Sequence, residues 1–378
     1  FLLLRELRLS RWASIAGAAA FGFTPHFVTL IYPVHFTVLS APAYIAALFY
    51  FVTRWTNPAR RTLDRAASAL AGGCAWGMLL NEDPQRGLYF SAAAGVYLLY
   101  RRWTEGAAGG SIPVRLRAAL APGFWLRAVL ALAVCAGVFS SELQRQSGGK
   151  NLGGGSVPGA EDRRAEWQFS TSWSHHPAEW ADLVVPGFHG EISGDPDRPY
   201  HGTKPVSHNS DATGVVVFFW AMLGLAAGLR RDHRTVFFAA LGLAALLLAC
   251  GRFWPGRPLF QLWFQLPLME KFRAPVKFMS VTAFAFSVLA AFGVEAFIRA
   301  ARSGDETFLK RVRTALIVLL GVGLLWWAGT YAFQPDLGAD LAQKLGSQEA
   351  GTRASEARVA ALGRMCLWGL LMLAGVWV

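Results

Sequence analysis

The sequence predicts an all-α fold: a polytopic helical membrane protein of about ten transmembrane helices with one large exoplasmic polar loop. Three observations predict it. Charged residues make up only 16% of the 378 positions, against roughly a quarter in a soluble domain. The 54% of hydrophobic residues gather into runs of about 20, the length that crosses a bilayer. Arginines fall in the short segments between those runs, which is how a membrane protein sets its topology.

Arg5, Arg8 and Arg11 precede a first apolar block at 12–23, and a Pro/His-containing loop at 24–37 follows. A second block ends near 53, before the basic loop of Arg54, Arg60, Arg61 and Arg65. Blocks at 67–80 and 87–100 form a helical hairpin around Asn81-Glu82-Asp83-Pro84-Gln85-Arg86. Basic residues 101–117 lead to the block 122–139. The chain then turns polar over 142–213, with five of its eight histidines there. Further blocks span 214–229, 235–251, 278–298 and 314–333, and a polar segment at 334–360 precedes a last, truncated one. The chain therefore divides into helices at 1–141, an exoplasmic region at 142–213, and helices at 214–378 that carry a basic, aromatic loop at 252–277. By parity the loops at 54–65, 101–117, 230–234 and 299–313 share one basic side. Lys/Arg bias makes that side cytoplasmic, in the inner membrane if the source is a bacterium.

A net charge of +12 would suggest nucleic acid in a soluble protein, but here it is spent on topology, so no nucleic-acid partner is expected. Cys74, Cys135, Cys250 and Cys366 all lie in apolar blocks, which predicts buried thiols rather than disulfides or metal ligands. The chain starts at Phe1 and stops at Val378 inside an apolar run, which predicts a piece of a longer protein.

The loop 252–277 breaks the charge rule: it lies outside by parity yet carries Arg252, Arg257, Lys271, Arg273 and Lys277. Either these cations bind an anionic group such as a lipid phosphate, or they snorkel from an interfacial helix. Glu179 and Asp182 share a face if their stretch is helical. They are the candidate catalytic carboxylates, as general base or as contacts to a divalent metal or an acceptor, and the bland alternative is a solvated pair. Asp195-Pro196-Asp197 has the form of a metal-binding Asp-x-Asp, but Gly-Asp-Pro-Asp is a good turn sequence and the turn reading is preferred. No zinc spacing appears among the histidines, so no metal ligand is assigned and the cofactor is left open. His35, Asp83, Gln85, His189 and Tyr200 join Arg257, Arg273 and Lys277 as candidate substrate contacts. Glu295 is read as an i,i+4 partner of Arg299.

These residues carry a family resemblance. Pro177-x-Glu179 with Pro186 and Gly190, Tyr200-x-Gly202, and the Pro267 to Lys277 segment with Phe272-Arg273-x-Pro275 resemble the bacterial YfhO-type membrane proteins. Asp83-Pro84-Gln85 with Tyr89 is similar to a hairpin that in that family often reads His-x-Gln, with Asp83 standing in the His position. Those proteins belong with the GT-C glycosyltransferases. The resemblance implies transfer of a sugar from a polyprenyl-phosphate carrier to a cell-envelope glycan or lipid acceptor. It also implies a catalytic acid in the first exoplasmic loop, and nothing in this chain matches that segment. The chain is therefore expected to begin downstream of it. A lipid or polysaccharide flippase and a noncatalytic assembly protein remain the alternatives, although few ionisable residues lie deep in the apolar blocks.

Overall fold

The computed structural model describes residues 1–29, 40–105, 121–148, 163–190, 195–205, 210–266, 269 and 272–377, and every regular element among them is helical. The apolar blocks become α2 (Arg11–Gly22), α4 (Ala41–Thr56), α5 (Thr62–Glu82), α6 (Pro84–Glu105), α7 (Pro122–Gly148), α10 (Val215–Gly228), α11 (His233–Ala249), α13 (Met279–Ser303), α14 (Glu306–Ala332) and α16 (Gln348–Trp377). Shorter pieces are α1 (Leu2–Glu6), α3 (Pro25–Val28), α8 (Arg163–Ser170), α9 (Ala181–Val184), α12 (Arg257–Phe264) and α15 (Gln334–Leu345). The polar segment 334–360 is thus helical throughout most of its length, forming α15 and the start of α16.

Local chemistry sets several of these ends. The Asp232 carboxylate accepts from Arg234 N at 2.9 Å and starts α11. Asp305 accepts from Phe308 N at 3.0 Å and starts α14, directly after Gly304 ends α13 at φ 67°. Asp83 closes α5 and its carboxylate accepts from Arg86 N at 2.9 Å, so one side chain serves both halves of the hairpin.

Among the described residues four helices are long and apolar enough to cross a membrane, which marks the chain as a membrane protein. They differ in place. The apolar window of the segment Pro275–Ser303 is 78% buried inside the protein, whereas those of Glu306–Ala332 and Pro122–Ser140 are 11% and 17% buried. So α13 is the central helix, and α14 and α7 present apolar faces outward.

Small residues let other helices close on α13. A Cβ added to Gly224 of α10 would stand 2.1 Å from Leu289 O, and one added to Gly293 would stand 2.0 Å from Trp220 O. Such backbone contact admits only glycine on both helices. Phe284 of α13 is the aromatic hub: its ring centroid lies 5.3 Å from Phe21, 4.6 Å from Phe49, 6.1 Å from Phe90 and 6.2 Å from Phe238. Cys135, Cys250 and Cys366 are buried free thiols, but Cys74 is exposed, because its face of α5 turns away from the packed core. Glu295 pairs with Arg299 at 3.0 Å, as its spacing predicts, and also accepts from Ser10 N at 2.8 Å.

The polar excursion folds down onto the ends of these helices. His175 N donates to Ala249 O at 2.8 Å, and Val276 N donates to Trp173 O at 3.1 Å. Thr213 N and Gly214 N both donate to Leu183 O, tying the exit of the excursion to α9.

Candidate functional site

Two polar constellations lie within the excursion, and a third joins the α5–α6 turn to the 272–278 loop. The first is centred on Lys204. Its ammonium sits 2.5 Å from Asp211 Oδ2 and 3.8 Å from Glu179 Oε2, with all three side chains almost wholly buried. Glu179 is fully engaged. Tyr200 OH donates to it at 2.9 Å, Thr203 N at 2.7 Å and Thr203 OH at 2.6 Å. His26 and His175 flank Asp211, each with Nδ1 3.5 Å from a carboxylate oxygen. Burial alone would raise the Asp211 pKa, but Lys204 and the two adjacent histidines overcome it and hold the group well below the usual range. For Lys204 burial works against the charge, and Asp211 and Glu179 together outweigh it, so its pKa is raised. Glu179 also lies below its ordinary value: burial opposes this, and Lys204 and the Thr203 hydrogen bonds prevail. This unit locks the loop over the helix ends. The Tyr200-x-Gly202 motif belongs to it, since a Cβ on Gly202 would stand 2.1 Å from Tyr200 OH.

The second constellation is a carboxylate–histidine pair. Asp182 Oδ2 lies 2.6 Å from His189 Nδ1, and Asp182 Oδ1 accepts from His189 N at 3.1 Å. The carboxylate fixes the ring through Nδ1 and leaves Nε2 outside that contact. No described residue takes His189 Nε2, and the side chain is 13% exposed. The turn that presents it depends on Gly187 (φ 77°) and Gly190 (φ 81°), the latter packed on Pro199 O. Beside the dyad, Arg358 of α16 donates to Phe188 O at 3.1 Å, covers the Phe188 ring at 4.4 Å, and meets His201 Nε2 at 2.7 Å. His201 Nδ1 donates to Pro199 O at 3.1 Å. Burial first, and Arg358 next to it, pull the His201 pKa down to about 4, so it stays neutral and accepts from Arg358. Lys344 of α15 donates to His201 O at 2.5 Å.

Arg358 also heads a groove. About 400 Å³ of space runs between Phe188 and the helices α14 and α15, walled by Leu325, Trp326, Gly329, Thr330, Phe333 and Leu337. Arg358 supplies its cation, the wall is mostly apolar, and most of that wall belongs to the outward-facing helix α14.

The third constellation joins the α5–α6 turn to the 272–278 loop. Asp83 Oδ2 pairs with Arg86 at 2.6 Å and stands 3.6 Å from Lys277 Nζ. Burial opposes ionisation of Asp83, but Arg86 and Lys277 prevail and its pKa is lowered. The Gln85 amide donates to Arg273 O and to Tyr89 OH, and the Tyr89 ring stacks on Phe278 at 3.7 Å. Arg273 itself is exposed, with its guanidinium 5.1 Å above Trp173 and 5.8 Å above Phe169. The adjacent Ala274 holds φ 65°.

Set against the sequence-based candidates, the structure brings Asp182 and His189 together and separates Asp182 from Glu179, which points into the Lys204 unit. The spacing predicted one helical face, but a 3-10 turn at Pro177–Trp180 precedes α9 and turns the two carboxylates to different partners. Asp83 and Lys277 pair with each other, and Gln85 and Tyr200 serve as internal struts. Arg257 and Arg273 are exposed cations. His35 and Lys271 lie outside the described residues. Asp195 Oδ1 accepts from Asp197 N at 2.9 Å and Arg198 N at 3.2 Å, the hydrogen bonding of a turn. Among the described residues no three His, Cys, Asp or Glu side chains converge as metal ligands. Sequence reasoning missed Arg358, Lys344, Lys204 and Asp211. None of the four stands out by spacing: Arg358, for one, sits between Arg353 and Arg364. No protein-family model, curated protein or solved structure matches the chain.

Proposed function

We propose that this chain is the membrane-embedded part of a GT-C-like, YfhO-type glycosyltransferase that takes a sugar from a polyprenyl-phosphate carrier at the outer face of a bacterial inner membrane. The observation that carries the reading is the apolar groove headed by Arg358 next to the Asp182–His189 dyad. An isoprenoid chain fits an apolar groove that faces lipid, and the guanidinium fork suits its phosphate. His189 Nε2, oriented by Asp182, accepts the proton of an acceptor hydroxyl as that oxygen attacks the anomeric carbon. The carrier phosphate leaves with the bonding pair, and Arg358 neutralises its charge. In this reading about ten helices cross the bilayer, and the 142–213 region forms the outer surface where the acceptor arrives. Arg273, held over two aromatic rings, is an exposed cation that adds to the positive charge of the outer surface, and Glu179 keeps the loop in place.

The test is sugar transfer from a polyprenyl-phosphate-linked sugar by the full-length protein in lipid nanodiscs. His189→Ala is expected to lower the transfer rate at least ~100-fold, the usual worth of a positioned base, while the carrier still binds. Asp182→Asn is expected to lose rate with a changed pH profile. Full transfer by His189→Ala would remove the dyad from the mechanism. Transport of a lipid-linked glycan without transfer would favour a flippase.

A further inference from the structure

At the end of the α5–α6 hairpin opposite Asp83, three arginines from three helices meet around one aromatic pair. Trp55 of α4 and Phe124 of α7 stack with ring centroids 5.9 Å apart. Arg102 of α6 lays its guanidinium over Phe124 at 4.8 Å. Arg65 of α5 donates from Nε to Trp55 O at 3.0 Å. Arg127 follows Phe124 by about one turn of α7, with Nη1 folded back beside Gly123.

The three like-charged side chains are thus gathered around one aromatic pair. Among the described residues none of the three has a carboxylate within ion-pair distance. Nε of Arg102 and Nε of Arg127 are buried and have no acceptor. Like charges gathered in a half-buried place, with donors aimed at nothing, are unfavourable until an anion arrives. The aromatic frame holds the forks in position, so little side-chain freedom remains to be lost on binding. Below the cluster, α7, one of the helices long and apolar enough to cross a membrane, exposes Leu126, Val129, Leu130 and Leu132. Arg65 and Asp83 stand about 27 Å apart along α5 at 1.5 Å per residue, so this place lies at the far end of that helix from the Asp83–Lys277 pair, and it shares no lining residue with the groove at Arg358.

We infer that Arg65, Arg102 and Arg127 form a binding site for a phosphate-bearing anion, supplied by an anionic phospholipid headgroup or by free phosphate from solution. The arginine distribution puts that end on the cytoplasmic side. The exposed apolar wall of α7 favours the headgroup.

Native mass spectrometry of the full chain in detergent tests this, with dioleoylphosphatidylglycerol, dioleoylphosphatidylcholine and inorganic phosphate as probes. The expected result is retention of phosphatidylglycerol over phosphatidylcholine, weakened at least about tenfold by Arg65→Gln/Arg102→Gln/Arg127→Gln. A control that removes equal charge from exposed residues of the same side, Arg61→Gln/Arg230→Gln/Arg231→Gln, is expected to bind as the wild type does. If the triple variant fails to fold, Arg102→Lys, which keeps charge but loses the fork, is expected to weaken retention about threefold. Inorganic phosphate that displaces the lipid at millimolar concentration would keep the site but assign it to a soluble anion. Unchanged retention in the triple variant or in Arg102→Lys, or an equal loss in the control, would overturn the inference.

Discussion

Replacing Lys204 by Met isolates the contribution of the buried ion pair. The substitution keeps the stem of the side chain and deletes a charge 2.5 Å from Asp211 and 3.8 Å from Glu179, where the three side chains are 7%, 3% and 2% exposed. Two carboxylates then remain buried without their cation, and stranding a buried charge costs about 3–5 kcal/mol. The sign of the pH dependence follows from the shifts. Asp211 and Glu179 are depressed in the folded state, so their stabilisation holds above about pH 4 and is lost as pH falls through the folded values. Lys204 is raised, so its share holds below about pH 10 and is lost as pH rises past its folded value. The wild-type protein therefore shows a plateau between these limits. In Lys204→Met the carboxylates stay desolvated and their folded values rise, so acidification from pH 8 to pH 5 should recover about 1–2 kcal/mol. The double variant Lys204→Met/Asp211→Leu should be milder than the single one, because it removes one stranded charge. Thermal and denaturant unfolding in detergent, followed by tryptophan fluorescence, reads all three proteins. A loss below about 1 kcal/mol, the value of an exposed pair, with no dependence on pH would refute the reasoning.

Three other perturbations probe the frame of the site. Phe284→Ala empties the aromatic hub of α13 and should cost about 3–5 kcal/mol by the same unfolding measurement. Ala274 holds a left-handed backbone at φ 65°, so Ala274→Val should cost about 1–2 kcal/mol more than Ala274→Gly. Gly202→Ala pushes a methyl into Tyr200 OH and detaches that hydroxyl from Glu179, with an expected loss of about 1–3 kcal/mol and faster proteolysis of the 163–213 loop.

The helices were legible because their residues gather into apolar runs and arginines mark the gaps between them, and four of those described are long enough to cross a bilayer. The caps at Asp83 and Gly304 and the Glu295–Arg299 pair follow from local spacing alone. The centrality of α13 was harder to read, since several apolar runs look alike and only small residues such as Gly293 hint at close packing on both sides. The site was legible in its residue types but not in their pairing. Asp182 and His189 both stood out, yet their union depends on positive φ at Gly187 and Gly190. Glu179 looked like a base because its partners Tyr200, Thr203 and Lys204 lie more than twenty residues on, beyond any periodic signal. Arg358 reaches His201 across 157 positions, a distance no motif spans.

The most direct test of the central claim is the affinity of the full-length protein for undecaprenyl phosphate, wild type against Arg358→Ala, Arg273→Ala and Trp326→Asp. The groove account predicts saturable binding that Arg358→Ala and Trp326→Asp each weaken at least about tenfold, or 1.4 kcal/mol, with a smaller loss in Arg273→Ala. Binding that survives both groove changes, or that only Arg273→Ala reduces, would contradict it and move the carrier phosphate to the 272–278 loop.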